Sequence, residues 1–236
     1  GDVALYALNI SKTITSIFGG ILTFQDRELA AKVRVLRDSE FHNASMSKAW
    51  MRRIYLLAAS TAFNERIYGM TWWLQERTSL LNKLTKSYHL DEKIHFPPDA
   101  FDRMLDIEAA VGLEQLKKYP QIIEKKRRTA IWYEQNLDRH AGWEFPPIVD
   151  GATYSHYVVR VPDRKRIIES FAKEGIHLGE LIQYSIPDLR EYDLYRGDVP
   201  YPISRISSLL TINFPLHMGL KNESLGEIAR CGRHIQ

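Results

Sequence analysis

Apolar and polar positions change their spacing several times along the chain, and each change predicts an element. Val3, Ala4, Leu5, Tyr6, Ala7 and Leu8 form an unbroken apolar run that reads as a buried strand, and Gly20 to Phe24 reads as another. Asp26 is a natural N-cap, and Leu29, Ala30, Val33 and Leu36 then recur at helical spacing over Arg27 to Arg37. The order is strand, turn, strand, helix, with Lys12 on the turn between two strands of one core.

Residues 40 to 98 differ in character. From Ala49 to Lys86 there is no proline and one glycine, which predicts two helices; Ile54, Leu57, Ala58, Thr61 and Ala62 share one face, expected to pack on the other helix or on a second subunit. Trp72 and Trp73 are adjacent and point about 100° apart, so they cannot share one narrow seam. Arg52, Arg53, Trp72 and Trp73 are also residue types that settle at lipid headgroups, which keeps an interfacial membrane contact open; the uncharged runs are shorter than the roughly 20 residues of a membrane span. Pro97 and Pro98 close the segment. A new helix is expected from an Asp102 cap, with an apolar stripe at Leu105, Ala109, Val111, Leu113 and Leu116, and Pro120 breaks it before a second stretch ending near Leu137. Lys125, Lys126, Arg127 and Arg128 read as a solvated helix face, because Glu124 and Glu134 dilute their charge. From Thr153 the pattern gives a strand (YSHYVVRV), a helix capped by Asp163 and ended by Gly175, a strand (HLGELI), a loop, a strand (SLLTINF) and a helix from about Asn222.

Composition narrows the class. The 236 residues are 44% apolar and 26% charged, as in a soluble globular protein, and a net charge of +3 leaves no nucleic-acid footprint. Cys231 is the single cysteine, and no metal-ligand spacing occurs, so no metal is expected and a reducing, cytoplasmic setting is the simplest reading. The first residues lack the features of a secretory leader and start inside a strand, which reads as a fragment of a longer protein.

The stretch NISKTITSIFGG, residues 9 to 20, holds the candidate chemistry. A lysine on a surface hairpin is by itself an ordinary solvated charge. The pieces around it, however, resemble in order the later part of the DegT/DnrJ/EryC1/StrS sugar aminotransferases. These are GDVALYALNISKTIT, GGILTFQDRELAAKVRVLRD, DRMLDIEAAVGLEQLKKY, KKRRTAIWYEQNL, YSHYVVRV, KEGIHLG with YSIP, and INFPLH. They cover most of the chain apart from residues 40 to 98.

The resemblance implies an α/β fold, the later part of a pyridoxal phosphate (PLP)-dependent type I aminotransferase. Residues 1–39 would end the large PLP-binding domain, 40–98 form a helical insertion, 99–140 the linking helices and 141–236 a small C-terminal α/β domain. It also implies that Lys12 carries the cofactor pyridoxal 5'-phosphate covalently, as a lysine followed by a Thr/Ser-rich turn and a glycine pair does in the family. Such a lysine must lose its charge near neutral pH, which burial beside a cationic cofactor favours. Asn9 and Ser11 are the nearby polar contacts, while His156, Tyr184 and His217 lie on stretches resembling the substrate side, and each is equally at home as a structural residue.

The sequence departs from the family pattern at Ala7, where many relatives have serine, at Ile17 and Phe18, where a glycine and an acid are common, and at Phe101, where asparagine is frequent. The family's early phosphate-binding turn, its ring stacked on the cofactor and its pyridine-pairing aspartate would all lie upstream, so the 236-residue chain alone is expected not to transaminate. Asp2 belongs to the Gly-Asp ahead of the strand and is not that aspartate. The related PLP dehydratases typically have histidine at the lysine position, which Lys12 argues against.

The implied function is transfer of an amino group from an amino acid, usually glutamate, to a nucleotide-linked keto sugar in surface polysaccharide or amino-sugar biosynthesis. The implied assembly is a cytoplasmic homodimer, with peripheral membrane contact through residues 49–86 as the second choice for that segment. The competing reading is a non-catalytic PLP-fold fragment or pseudoenzyme whose helical insertion binds a partner or a membrane.

Overall fold

The computed structural model describes residues 1–62, 99–180 and 182–235. The chain divides into two compact units, Gly1–Lys117 and Lys118–Gln236. This division falls inside the stretch 99–140.

In the first unit, β1 (Val3–Ala7) and β2 (Gly20–Phe24) pair antiparallel, from Val3 opposite Phe24 to Ala7 opposite Gly20. Their apolar run is not buried: Leu5 is 73% exposed and Leu22 47%, and in the first run only Leu8, just past β1, is buried. A two-stranded ribbon has no second layer of its own, and the described residues supply none. Helix α1 (Arg27–Glu40) starts where expected, its first turn capped by the Asp26 carboxylate accepting from the Glu28 amide at 2.7 Å.

Helix α2 (Met46–Ala62) is one of the two helices expected over residues 49 to 86; the second, with Trp72 and Trp73, lies outside the described residues. Its inner face is polar. Lys48 pairs with Asp99 at 2.8 Å and Asp102 at 2.7 Å, and Arg52 pairs with Glu108 at 2.6 Å, while Ile54 and Leu57 are 62% and 71% exposed. The carboxylates across from α2 take up its cations, and the face that carries Ile54 and Leu57 is open; the second helix expected to cover it lies outside the described residues.

Asp102 is thereby taken up by Lys48 and caps no helix; α3 begins later (Asp106–Lys117). Its first turn is held by Glu108, which reaches back to accept the Leu105 amide at 3.0 Å, the acidic half of a capping box. Leu113 and Leu116 of the expected stripe are exposed, and the buried residue of α3 is Glu108.

In the second unit, Pro120 stands in the first turn of α4 (Tyr119–Asn136), where its missing N–H loses no helical bond. β3 (Tyr157–Arg160) pairs antiparallel with β4 (Thr211–Phe214), Tyr157 opposite Phe214. Between them run α5 (Arg164–Lys173), two single 3₁₀ turns (Ile186–Asp188 and Arg190–Tyr192), the short α6 (Asp193–Arg196) and α7 (Pro202–Leu210); α8 (Asn222–Arg233) closes the unit. Asp163 caps α5, and Gly175 follows it with φ +74°.

Two strand expectations fail here. HLGELI makes a single bridge, Gly179 to Asn213, and Ser208 to Leu210 of SLLTINF finish α7. α7 runs on to Leu210, the Thr211 amide still donating back to the Ser207 carbonyl, and Arg164 Nη1 donates to the carbonyls of Ile182 at 3.0 Å and Ser208 at 2.7 Å.

The core of this unit is aromatic. Tyr133, Tyr157, Phe171 and Phe214 are at most 2% exposed, and the Tyr133 ring lies 5.1 Å from Tyr157 and 5.5 Å from Phe214. The Tyr133 hydroxyl donates to the Pro215 carbonyl at 2.7 Å, joining α4 to the end of β4, and burial pushes its pKa up. Tyr133→Phe removes that donor and is expected to lower stability by about 1–3 kcal/mol, whereas Tyr133→Ala, which also empties the core, is expected to cost about 3–5 kcal/mol. Urea unfolding followed by circular dichroism measures both.

Candidate functional site

The connection between β1 and β2 is a built turn. The Leu8 amide donates to the Gly19 carbonyl and the Ser16 amide to the Leu8 carbonyl, each at 2.9 Å, so the loop closes on its own backbone. Inside it, the Asn9 side-chain oxygen accepts from the Ser11 amide at 3.2 Å and the Ser11 hydroxyl at 2.7 Å, and the Lys12 amide donates to the Asn9 carbonyl at 3.0 Å. Asn9 and Ser11 thus shape the turn that presents Lys12. The Lys12 side chain is exposed, and its amine takes part in no hydrogen bond or ion pair with the described residues.

Behind the lysine the turn is strained and tightly seated. Ser16 is fully buried, its hydroxyl donates to the Phe18 carbonyl, and a Cβ on Gly112 of α3 would sit 3.2 Å from the Ser16 Cβ. Ile17 has φ +80° and Gly19 has φ +103°. For a β-branched residue such as Ile17 this is a genuine outlier. It is retained by burial at 3% exposure and by its amide bond to Thr15 Oγ1 at 2.8 Å. At Gly19 a Cβ would lie 2.4 Å from the tip of Met104.

Phe18, between these two residues, meets Arg52 at 3.9 Å from ring centroid to guanidinium and Tyr55 at 6.1 Å between rings. Phe101 stacks edge-on against Phe41 with centroids 5.7 Å apart. It fills with apolar contact a position where relatives frequently have a polar side chain.

The remaining candidates lie in the second unit. His156 directly precedes β3 and His217 follows β4, so the antiparallel pairing brings both to the same end of that sheet. His156 Nδ1 is 3.3 Å from the Ser155 hydroxyl, and Tyr184 is 40% exposed in the loop before the first 3₁₀ turn.

The basic run of α4 is a solvated face only in part: Arg128 is exposed and faces Glu124 at 3.7 Å, as expected, but its neighbours turn inward. Lys126 is buried, with Nζ donating to the Ser155 carbonyl at 3.0 Å, and Arg127 donates to the carbonyls of Ala152 and Gly151 at 2.8 Å each. The two cations fix the loop that leads to His156. Only the contacts reveal this, because a charge cluster in sequence carries no direction. Arg52, read from the sequence as a residue type that settles at lipid headgroups, instead pairs with Glu108, which the sequence reading did not single out. Among the described residues no group of three or more His, Cys, Asp or Glu could hold a metal, and no helix is long and apolar enough to cross a membrane.

Lys12 thus stands exposed on a turn closed by its own backbone, and the order of elements around it is that of the later part of a type I aminotransferase. The chain belongs to the DegT/DnrJ/EryC1/StrS aminotransferase family, which it matches over residues 1–231; the family uses PLP. It is 25% identical over 232 residues to the dTDP-4-dehydro-2,3,6-trideoxy-D-glucose 4-aminotransferase of Saccharopolyspora spinosa, covering 97% of this chain and 51% of that protein. It is 21% identical to the spore coat polysaccharide biosynthesis protein SpsC of Bacillus subtilis, covering 100% of this chain and 54% of that protein.

Among solved structures, the Helicobacter pylori aminotransferase PseC, involved in pseudoaminic acid biosynthesis, superposes with a TM-score of 0.65 at 20% identity, over 99% of this chain and 53% of that one. The fold is shared at that level. The chain spans about half the length of the curated relatives it matches.

Burial holds the Lys126 pKa below the ordinary lysine value. Between that lowered value and roughly 10.4 the unfolded chain keeps a proton that the folded chain has lost, so stability rises with pH across this window. Lys126→Met is expected to flatten the rise, read as the urea midpoint against pH on the alkaline side of neutrality.

Proposed function

We propose that this chain carries the catalytic lysine of a PLP-dependent aminotransferase that moves an amino group from an amino-acid donor, glutamate by analogy with the family, to a keto sugar carried on a nucleotide. The observation that carries the reading is the Lys12 amine, exposed and unpaired on a backbone-locked turn in a chain of this family. PLP, when bound, supplies the electron sink for the carbanion. Lys12 Nζ would hold it covalently, and the same amine is the group placed to move a proton at the reacting carbons. Asn9 and Ser11 hold the turn and are the polar side chains beside the amine. His156, Tyr184 and His217 are assigned to the substrate side.

The names of the relatives support a sugar substrate, the Saccharopolyspora protein being a 4-aminotransferase of a dTDP-linked sugar. The outward apolar face of α2, with Trp50, Ile54 and Leu57 each at least 59% exposed, supports a second subunit as the partner that covers it.

Incubation with PLP, borohydride reduction and peptide mapping test the lysine assignment. The expected result is a pyridoxyl group on the peptide containing Lys12, lost in Lys12→Ala. A label on another lysine, or none in the full-length protein, refutes it.

A further inference from the structure

We propose that Arg52 is a positioning residue for Lys12: its guanidinium, held between the Phe18 ring and the Glu108 carboxylate, ties helix α2 to the far end of the lysine turn. The inference rests on Lys12 being the cofactor lysine, and it makes the start of the segment after residue 40 part of the frame of the site.

The geometry is that of a clamp. The Arg52 guanidinium lies 3.9 Å from the Phe18 centroid and its Nε is 2.6 Å from Glu108 Oε1, with the side chains only 15% and 5% exposed. The Nε–Oε1 approach is an ion pair rather than an aligned hydrogen bond, so charge and stacking set it more than direction. A planar guanidinium can face a ring while its edge meets a carboxylate; an ammonium cannot. Neither partner is free to drift. Glu108 is pinned by the Leu105 amide at 3.0 Å, and α2 is fixed one turn earlier by Lys48 on Asp99 and Asp102.

Phe18 is the residue through which such a hold acts on the turn. It lies between Ile17 and Gly19, the two positions with positive φ. A strained backbone persists only where its surroundings over-determine it. Gripping the side chain between strained Ile17 and Gly19 holds both, and with them the closing bonds of Leu8 and Ser16 that set where Lys12 stands.

Amide hydrogen exchange and borohydride labelling, on the full 236-residue chain, test this together. In Arg52→Met the Leu8 and Ser16 amides are expected to exchange about tenfold faster, the factor a partly desolvated cation–π contact is worth, while the Gln25 amide, bonded to Asp2 at the open end of the hairpin, is unchanged. Phe18→Leu should produce a similar factor and add nothing in the Arg52→Met background. Arg52→Lys, which keeps the charge but not the plane, should fall between the wild type and Arg52→Met.

The PLP concentration for half-maximal label at Lys12 should rise by about the same factor. Unchanged exchange at Leu8 and Ser16, additive substitutions, or acceleration that includes Gln25 overturns the clamp. Fast exchange with unchanged half-saturation overturns its link to Lys12. If the wild type takes no label at Lys12, the functional reading falls, and the exchange series still decides the clamp.

Discussion

The first unit is organised by a charge pair that water barely reaches. Glu108, 4% exposed, and Arg52 face each other from α3 and α2, and neither charge is readily buried without the other. Because neither charge tolerates separation, the pair dictates which face of α2 turns inward, where α3 starts and what lies behind Phe18. The apolar side chains of α2 follow by default, outward.

The second unit depends on a different constraint. Its core is a cluster of rings from α4, β3, α5 and β4, and the Tyr133 hydroxyl must find an acceptor inside it. The bond to Pro215 meets that need and sets how α4 lies against the sheet. The cations of α4 then do for the 151–156 loop what the tyrosine does for β4, each occupying a backbone carbonyl that the loop leaves without a strand partner. His156 is placed as a consequence.

The lysine turn combines strain with support. An isoleucine and a glycine at positive φ flank Phe18, and the departures from the family pattern at residues 17, 18 and 101 are each absorbed by apolar or stacking contacts. The turn is thereby held from behind, and the Lys12 side chain in front of it is exposed.

Local chemistry made much of this legible from the residues. Asp26 and Asp163 cap helices because a short carboxylate before a helical period finds the first free amides, and Pro120 and Gly175 punctuate because their backbones allow little else. The ordered motifs around Lys12 were enough to indicate the family. What the residues did not show was which surface each element presents. Ile54 and Leu57 share a face in the sequence, but only the contacts of Lys48 and Arg52 show which face of α2 meets the carboxylates of residues 99, 102 and 108. HLGELI looks like a strand, yet among the described residues it makes a single bridge. Lys126 and Arg127 look solvated until a loop brings carbonyls within reach. Capping and turn chemistry act over a few neighbouring residues, and the sequence by itself determined them. Which charge is buried and which face turns inward depends on partners tens of residues away, and only the tertiary structure decided that.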